Sequence, residues 1–205
     1  MIEVELRGKI DDFEKEVQRF REFADFIEER DRFSLVYTRN EVPKDAREML
    51  DEKVDLKLRI TNGNAELILK YGSWGSEECR EEISIHIKKE EFDKYVKVLG
   101  YLGWNKGLVL STKTFVFVYK DVEFALVKSN TGYCDFEAEM IANDEIEAEK
   151  KNKHIKEMCN ELGLKIFEKD EFIELINKEN NTPGRKFNFE KEGFENIKKR
   201  FVQFF

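Results

Sequence analysis

Hydrophobic and polar positions alternate at the start of the chain. Ile2, Val4 and Leu6 share one face of residues 2–9, and Glu3, Glu5 and Arg7 share the other, the two-residue period of a strand. The period lengthens over residues 11–30, where Phe13, Val17, Phe20, Phe23, Ala24 and Ile27 form a stripe at helical spacing. Asp11 or Asp12 supplies the cap. A strand follows from Phe33, and residues 40–52, with Pro43 and many charges, read as a loop or short helix. Residues 54–60 and 65–71 alternate again around Asn62-Gly63, a strong hairpin signal. Residues 80–87, 108–120, 122–128 and 133–142 read as further strands, with a helix over 90–103. The chain then turns helical over 144–162, 169–179 and, after Pro183-Gly184, 189–204. About eight strands, mostly joined as hairpins with helices at the edges, make an α+β fold with an antiparallel sheet.

Composition narrows the class. The chain has 205 residues, 40% of them hydrophobic, enough for a core. Charged residues reach 39%, against about 25% in an ordinary domain. A net charge of −8 argues against long nucleic acid as a partner, although an anion can be held where bases gather. Three dispersed cysteines, Cys79, Cys134 and Cys159, offer no zinc spacing and read as reduced thiols of a cytoplasmic protein. The charged N-terminus does not read as a signal peptide, and no apolar run approaches the ~18 residues of a membrane span. Two histidines, His86 and His154, exclude a multi-histidine metal site.

The distribution of charge along the strands adds candidate chemistry. Glu3, Glu5 and Arg7 share a face; so do Asp55, Lys57 and Arg59, then Glu66 and Lys70, then Arg80, Glu82, Ser84 and His86, and finally Asp135, Glu137 and Glu139. The end strands are acid-rich and the middle strands carry the bases. An antiparallel sheet often has one solvated face, but a solvent face would mix the signs along each strand. If the sheet closes into a barrel, its interior is wide enough for one small ligand. Paired glutamates there make an oxygen-only site suited to Mg²⁺ or Mn²⁺, and opposing Lys and Arg suit phosphate oxygens. Gly72-Ser73-Trp74-Gly75 lacks the ending of a phosphate-binding loop. Tyr119 reads as a packed strand tyrosine, and Cys134 as inert beside the acids.

The ordered motifs resemble the CYTH, or triphosphate tunnel, superfamily. Glu3-x-Glu5-x-Arg7 resembles its opening ExExK signature. Lys57, Arg59 and Lys70 match its basic hairpin, Arg80-Glu81-Glu82 its R-x-E strand, and Glu137-x-Glu139 its terminal acidic pair. The resemblance covers roughly residues 1–142, and the trailing helices are family-like too. It implies a closed eight-stranded antiparallel β-barrel flanked by helices, with residues 1–180 as the tunnel domain. Residues 181–205 are then a C-terminal helical extension whose apolar face meets the barrel or a second copy, leaving a homodimer open. By resemblance, Glu3 and Glu5 are catalytic, and Glu3, Glu5, Glu82, Glu137 and Glu139 hold Mg²⁺ or Mn²⁺. Arg7, Lys57, Arg59, Lys70, Arg80 and Lys113 bind phosphates.

The sequence also departs from that pattern. Arg7 replaces the signature lysine. The long strand reads Lys113-Thr114-Phe115 where the family has K-x-R, and Lys128 stands near the usual Leu-Asp, placed to replace the missing arginine. The implied function is metal-dependent hydrolysis of tripolyphosphate, thiamine triphosphate or a nucleoside triphosphate. The alternatives are a class IV-type adenylyl cyclase making cyclic AMP from ATP, and a non-catalytic binder of polyphosphate or nucleotide.

Overall fold

The computed structural model describes residues 2–49, 52–73 and 75–205. The described residues form nine strands: β1 (Ile2–Lys9), β2 (Asp25–Thr38), β3 (Val54–Thr61), β4 (Asn64–Tyr71), β5 (Glu77–Ile87), β6 (Lys106–Tyr119), β7 (Val122–Ser129), β8 (Cys134–Ala142) and β9 (Lys186–Asn188). The helices are α1 (Phe13–Phe23), α2 (Phe92–Tyr101), α3 (Glu145–Glu161), α4 (Lys169–Asn180) and α5 (Phe194–Arg200). Eight strands follow the order β2-β3-β4-β5-β1-β8-β7-β6, and β6 pairs back to β2, which closes an antiparallel barrel. The fold is α+β, a closed eight-stranded barrel flanked by helices, as the strand pattern and motifs imply.

Closure puts the apolar positions outside and the charged ones inside. Val4, Leu6, Phe124 and Phe136 point outward into one core beneath α1 and α3. Phe33, Leu35, Leu58 and Ile60 point into a second, with Phe92 of α2, Ile197 of α5 and Phe204. Each fully buried side chain of this size contributes about 1.5–3 kcal/mol. These two belts let the barrel fold while its lumen stays polar.

Local signals explain several elements. Asp12 caps α1, accepting from the Lys15 N–H at 3.1 Å. Asn62 and Gly63 both adopt positive φ, at 48° and 83°, as a two-residue hairpin turn demands. The Asn62 side chain also accepts from the Asp31 N–H and donates to the Glu29 carbonyl, each at 2.8 Å. A Cβ on Gly8 would lie 2.1 Å from the Lys165 carbonyl, so only glycine lets the segment after α3 bridge onto β1.

The structure corrects the sequence reading at three places. The helix expected over 11–30 ends at Phe23, and β2 begins at Asp25. Ile27, assigned by spacing to the helix's buried side, is 52% exposed; the two-residue period of Glu28, Arg30, Arg32 and Ser34 governs instead. β5 begins at Glu77, three residues before the expected start at Arg80. The last helix covers only residues 194–200, with a 3₁₀ turn at Val202–Phe204, because the Lys191 and Glu192 N–H groups close a turn on the Asn188 carbonyl and the helix starts only after Gly193. The segment after residue 181 packs on the barrel through Phe187, Ile197 and Phe204.

Candidate active site inside the barrel

The inward residues line one cavity of about 830 Å³. β1 contributes Glu3, Glu5 and Arg7; β2 Glu28, Arg30, Arg32 and Ser34; β3 Asp55, Lys57 and Arg59. Glu66 and Lys70 come from β4, Glu82 and His86 from β5, and Asp135, Glu137 and Glu139 from β8. β6 and β7 present only Leu108, Leu110, Thr112, Thr114, Glu123, Ala125, Val127 and Ser129. The lumen therefore has a wall rich in both signs and one that bears no cation and a single acid, Glu123.

Glu3, Glu5 and Glu139 form the carboxylate centre: one oxygen from each lies within 4.8 Å of the others. The register explains this, since Glu5 sits directly opposite Glu139 and Glu3 points the same way two residues earlier. Burial, then the like charges of Glu3 and Glu5, push the Glu139 carboxyl well up. Burial, then Glu5, also raises Glu3. Burial opposes the Glu5 charge, but Arg7 and Lys70 hold its pKa down at about 2. Three clustered oxygen donors, two of them with raised proton affinity, fit a hard divalent cation, which would offset their mutual repulsion. Of the other predicted ligands, Glu82 lies 3.4 Å from Lys70 and Glu137 lies 3.3 Å from Arg7. Both lie in the same lumen but outside the three-oxygen cluster.

Most cations are held by carboxylates. Lys70 contacts Glu3, and lies 3.5 Å from Glu5. Arg7 contacts Glu5 and lies 3.7 Å from Glu78. Arg80, almost fully buried, bonds Glu78 and, at 3.1 Å, Asp55, which also holds Lys57 at 2.9 Å. Arg30 reaches Glu28 at 2.6 Å and Glu123 at 3.2 Å. Arg32 and Arg59 differ: no carboxylate pairs with either among the described residues, and their Nε atoms, like that of Arg80, are buried without a hydrogen-bond partner. Burial, then Arg59, lowers the Arg32 guanidinium to about 10.

Two predicted phosphate ligands lie outside the lumen. Lys113 is half exposed and bonds Glu29 at 2.5 Å; Lys128 bonds Glu14 at 3.1 Å and covers the Phe13 ring. Alternation is the cause: Thr112 and Thr114 point inward, so Lys113 and Phe115 point outward, and Phe115 packs against Phe13 and Phe26. Lys128 is therefore no stand-in for a missing arginine. Tyr119 is also outside, donating to Glu161 at 2.9 Å, whereas His86 lines the lumen. Burial first, then Asp135 and Glu14 against Lys128, raises the Cys134 thiol. Trp74 lies outside the described residues.

Sequence reasoning missed Arg30 and Arg32 because it placed residue 30 in a helix. It also missed Glu78, which lies before the expected start of β5. The signal for the arginines was present in the alternation Glu28-x-Arg30-x-Arg32-x-Ser34. One end of the lumen is covered by the turn at Ala46–Met49 and by α4. There the Ala46 N–H donates to Asn177 at 2.6 Å, and the buried Arg185 lies 3.3 Å from Glu179.

No protein-family model and no curated protein matches the sequence. Solved structures do match. PH1819 of Pyrococcus horikoshii superposes with a TM-score of 0.66 at 24% identity, covering 86% of this chain and 99% of its own. A candidate adenylate cyclase of Vibrio parahaemolyticus gives 0.63 at 15% identity over 82% and 94%. HpAC1 of Hippeastrum, a candidate adenylyl cyclase with a dominant triphosphatase activity, gives 0.56 at 13% identity over 89% and 97%. The chain shares the fold of these proteins. No described helix is long and apolar enough to cross a membrane.

Proposed function

We propose that this chain is a metal-dependent phosphohydrolase that acts on a triphosphate held in the barrel. The observation that carries the reading is the meeting, in one lumen, of the Glu3–Glu5–Glu139 oxygen cluster with the inward cations of β1, β3 and β4. The triphosphatase activity named for the Hippeastrum protein of the same fold supports it. Glu3, Glu5 and Glu139 would hold Mg²⁺ or Mn²⁺, with Glu82 and Glu137 at the sides. When bound, the ion supplies Lewis-acid neutralisation of phosphoryl oxygens. Arg7, Lys57, Arg59, Lys70 and Arg80 bind and orient the phosphates in a site largely screened from bulk water, where charge stabilisation is strongest. Water attacks the terminal phosphorus, its bridging P–O bond breaks, and orthophosphate leaves. Purified chain with Mg²⁺ or Mn²⁺ should release orthophosphate from tripolyphosphate, thiamine triphosphate or a nucleoside triphosphate; no release across that panel would overturn the proposal.

Two observations favour second readings. A cavity of about 830 Å³ has room for an organic group beside the phosphates, which favours cyclisation of ATP; cyclic AMP and pyrophosphate as products would establish it. The absence of a cation on the inner face of β6 and β7 favours a non-catalytic binder of polyphosphate or nucleotide. Tight metal-dependent binding without turnover would establish that instead.

A further inference from the structure

The cation-free wall of the lumen has a counterpart on the strand beside it. Arg32 of β2 stands opposite Thr61 of β3 on one side and Thr112 of β6 on the other. Thr114 is next along β6, opposite Arg30. Four polar atoms here are buried without a partner among the described residues: Arg32 Nε, Arg59 Nε, Thr61 Oγ1 and Thr114 Oγ1. All four residues line the same cavity. Such groups are costly to leave unmet, and natural folds rarely do so without reason. Two guanidinium groups without carboxylates also repel one another. An oxyanion answers both problems, accepting from the hydroxyls and neutralising the arginines.

We propose that Arg32, flanked by the Thr61 and Thr114 hydroxyls, forms a phosphoryl-oxygen seat on β2 that supplies the cation β6 and β7 do not present to the lumen. The inference rests on the triphosphate reading above. It assigns the seat to Arg32, whereas Arg30 is occupied by Glu28 and Glu123 and Lys113 faces outward. Arg59 shares the seat from the neighbouring strand.

The test is calorimetric titration of the full chain with tripolyphosphate in Mn²⁺, together with its ligand-free melting temperature. Arg32→Gln should bind roughly tenfold to a hundredfold more weakly, the range for a charged hydrogen bond, while melting no lower than the parent chain. That second readout separates binding from a structural role. Arg32→Lys should fall between, since a point charge replaces a fork. Thr114→Val should weaken binding by roughly twofold to tenfold. Lys113→Gln should bind as the parent does. Binding of Arg32→Gln within twofold of the parent, or a clearly lower melting temperature, overturns this inference alone. No binding by the parent chain overturns the proposed function and this inference with it.

Discussion

Glu5 of β1 and Glu139 of β8 face one another across a strand pair, and each offers a carboxylate oxygen to the same cluster as Glu3. Arg7 and Lys70 keep Glu5 ionised, whereas burial and like charges push the Glu139 proton affinity up. Removing one charge should therefore relieve the metal-free protein. Glu139→Gln should melt at or above the parent temperature in EDTA and lose the stabilisation that Mn²⁺ gives the parent. Outer-shell partners alone are worth about 10–100-fold in metal affinity, so a ligand should cost at least about a hundredfold. Differential scanning calorimetry with and without Mn²⁺ checks both.

Asp55 behaves in the opposite sense. Burial opposes its charge, but Lys57 and Arg80 hold its pKa well below the usual carboxylate range. Its contribution to stability is therefore fully present above the unfolded pKa of about 4 and is lost as pH falls through the folded value. Asp55→Asn should cost about 3–5 kcal/mol at pH 7, because it leaves Lys57 unpaired and strips Arg80 of one partner. The loss should begin to narrow below about pH 4, where the unfolded Asp55 takes up a proton and the folded one does not. Urea unfolding at pH 7 and near pH 3 measures the difference.

The C-terminal segment contributes to the core of the barrel domain. Ile197 is fully buried, and the ring of Phe33 contacts those of Phe201, Phe204 and Phe205 at centroid distances of 5.2, 5.8 and 5.1 Å. Ile197→Ala should cost about 2–5 kcal/mol without changing affinity for tripolyphosphate. Chemical denaturation and titration on the same variant check the two halves.

The thiols should report burial. Cys159 is buried, and its pKa is pushed up to about 12 by that burial, while Cys79 is exposed. Alkylation in native buffer should modify Cys79 readily and Cys159 only after unfolding. Peptide mass spectrometry gives the order.

Much of this architecture was legible because alternation is a strong signal where it is regular. Residues 2–9 and 54–60 sort charges from apolar residues without exception, and 65–71 do so but for Ile68, so Glu3, Glu5, Lys57, Arg59 and Lys70 could be placed on inner faces from the sequence. Three things were not legible. Ile27 continues the stripe of α1 by spacing alone, and only the pairing of β2 with β6 takes it out of the helix. That misplacement hid Arg32. On β6, polar Lys113 and apolar Phe115 share a face, and a hydrophobic neighbour is no guide when the outer side of a barrel is covered by helices and the inner side is polar. The separation of Glu137 and Glu82 from the three-oxygen cluster depends on which carboxylate a nearby cation captures, which strand pattern does not encode.

The most direct test of the central claim is orthophosphate release by the purified chain from the triphosphate panel in Mg²⁺ or Mn²⁺, run beside Glu3→Ala and an EDTA control. The account predicts release by the parent chain that EDTA abolishes and that Glu3→Ala lacks. Release that survives both, or no release from any triphosphate with metal present, would contradict it.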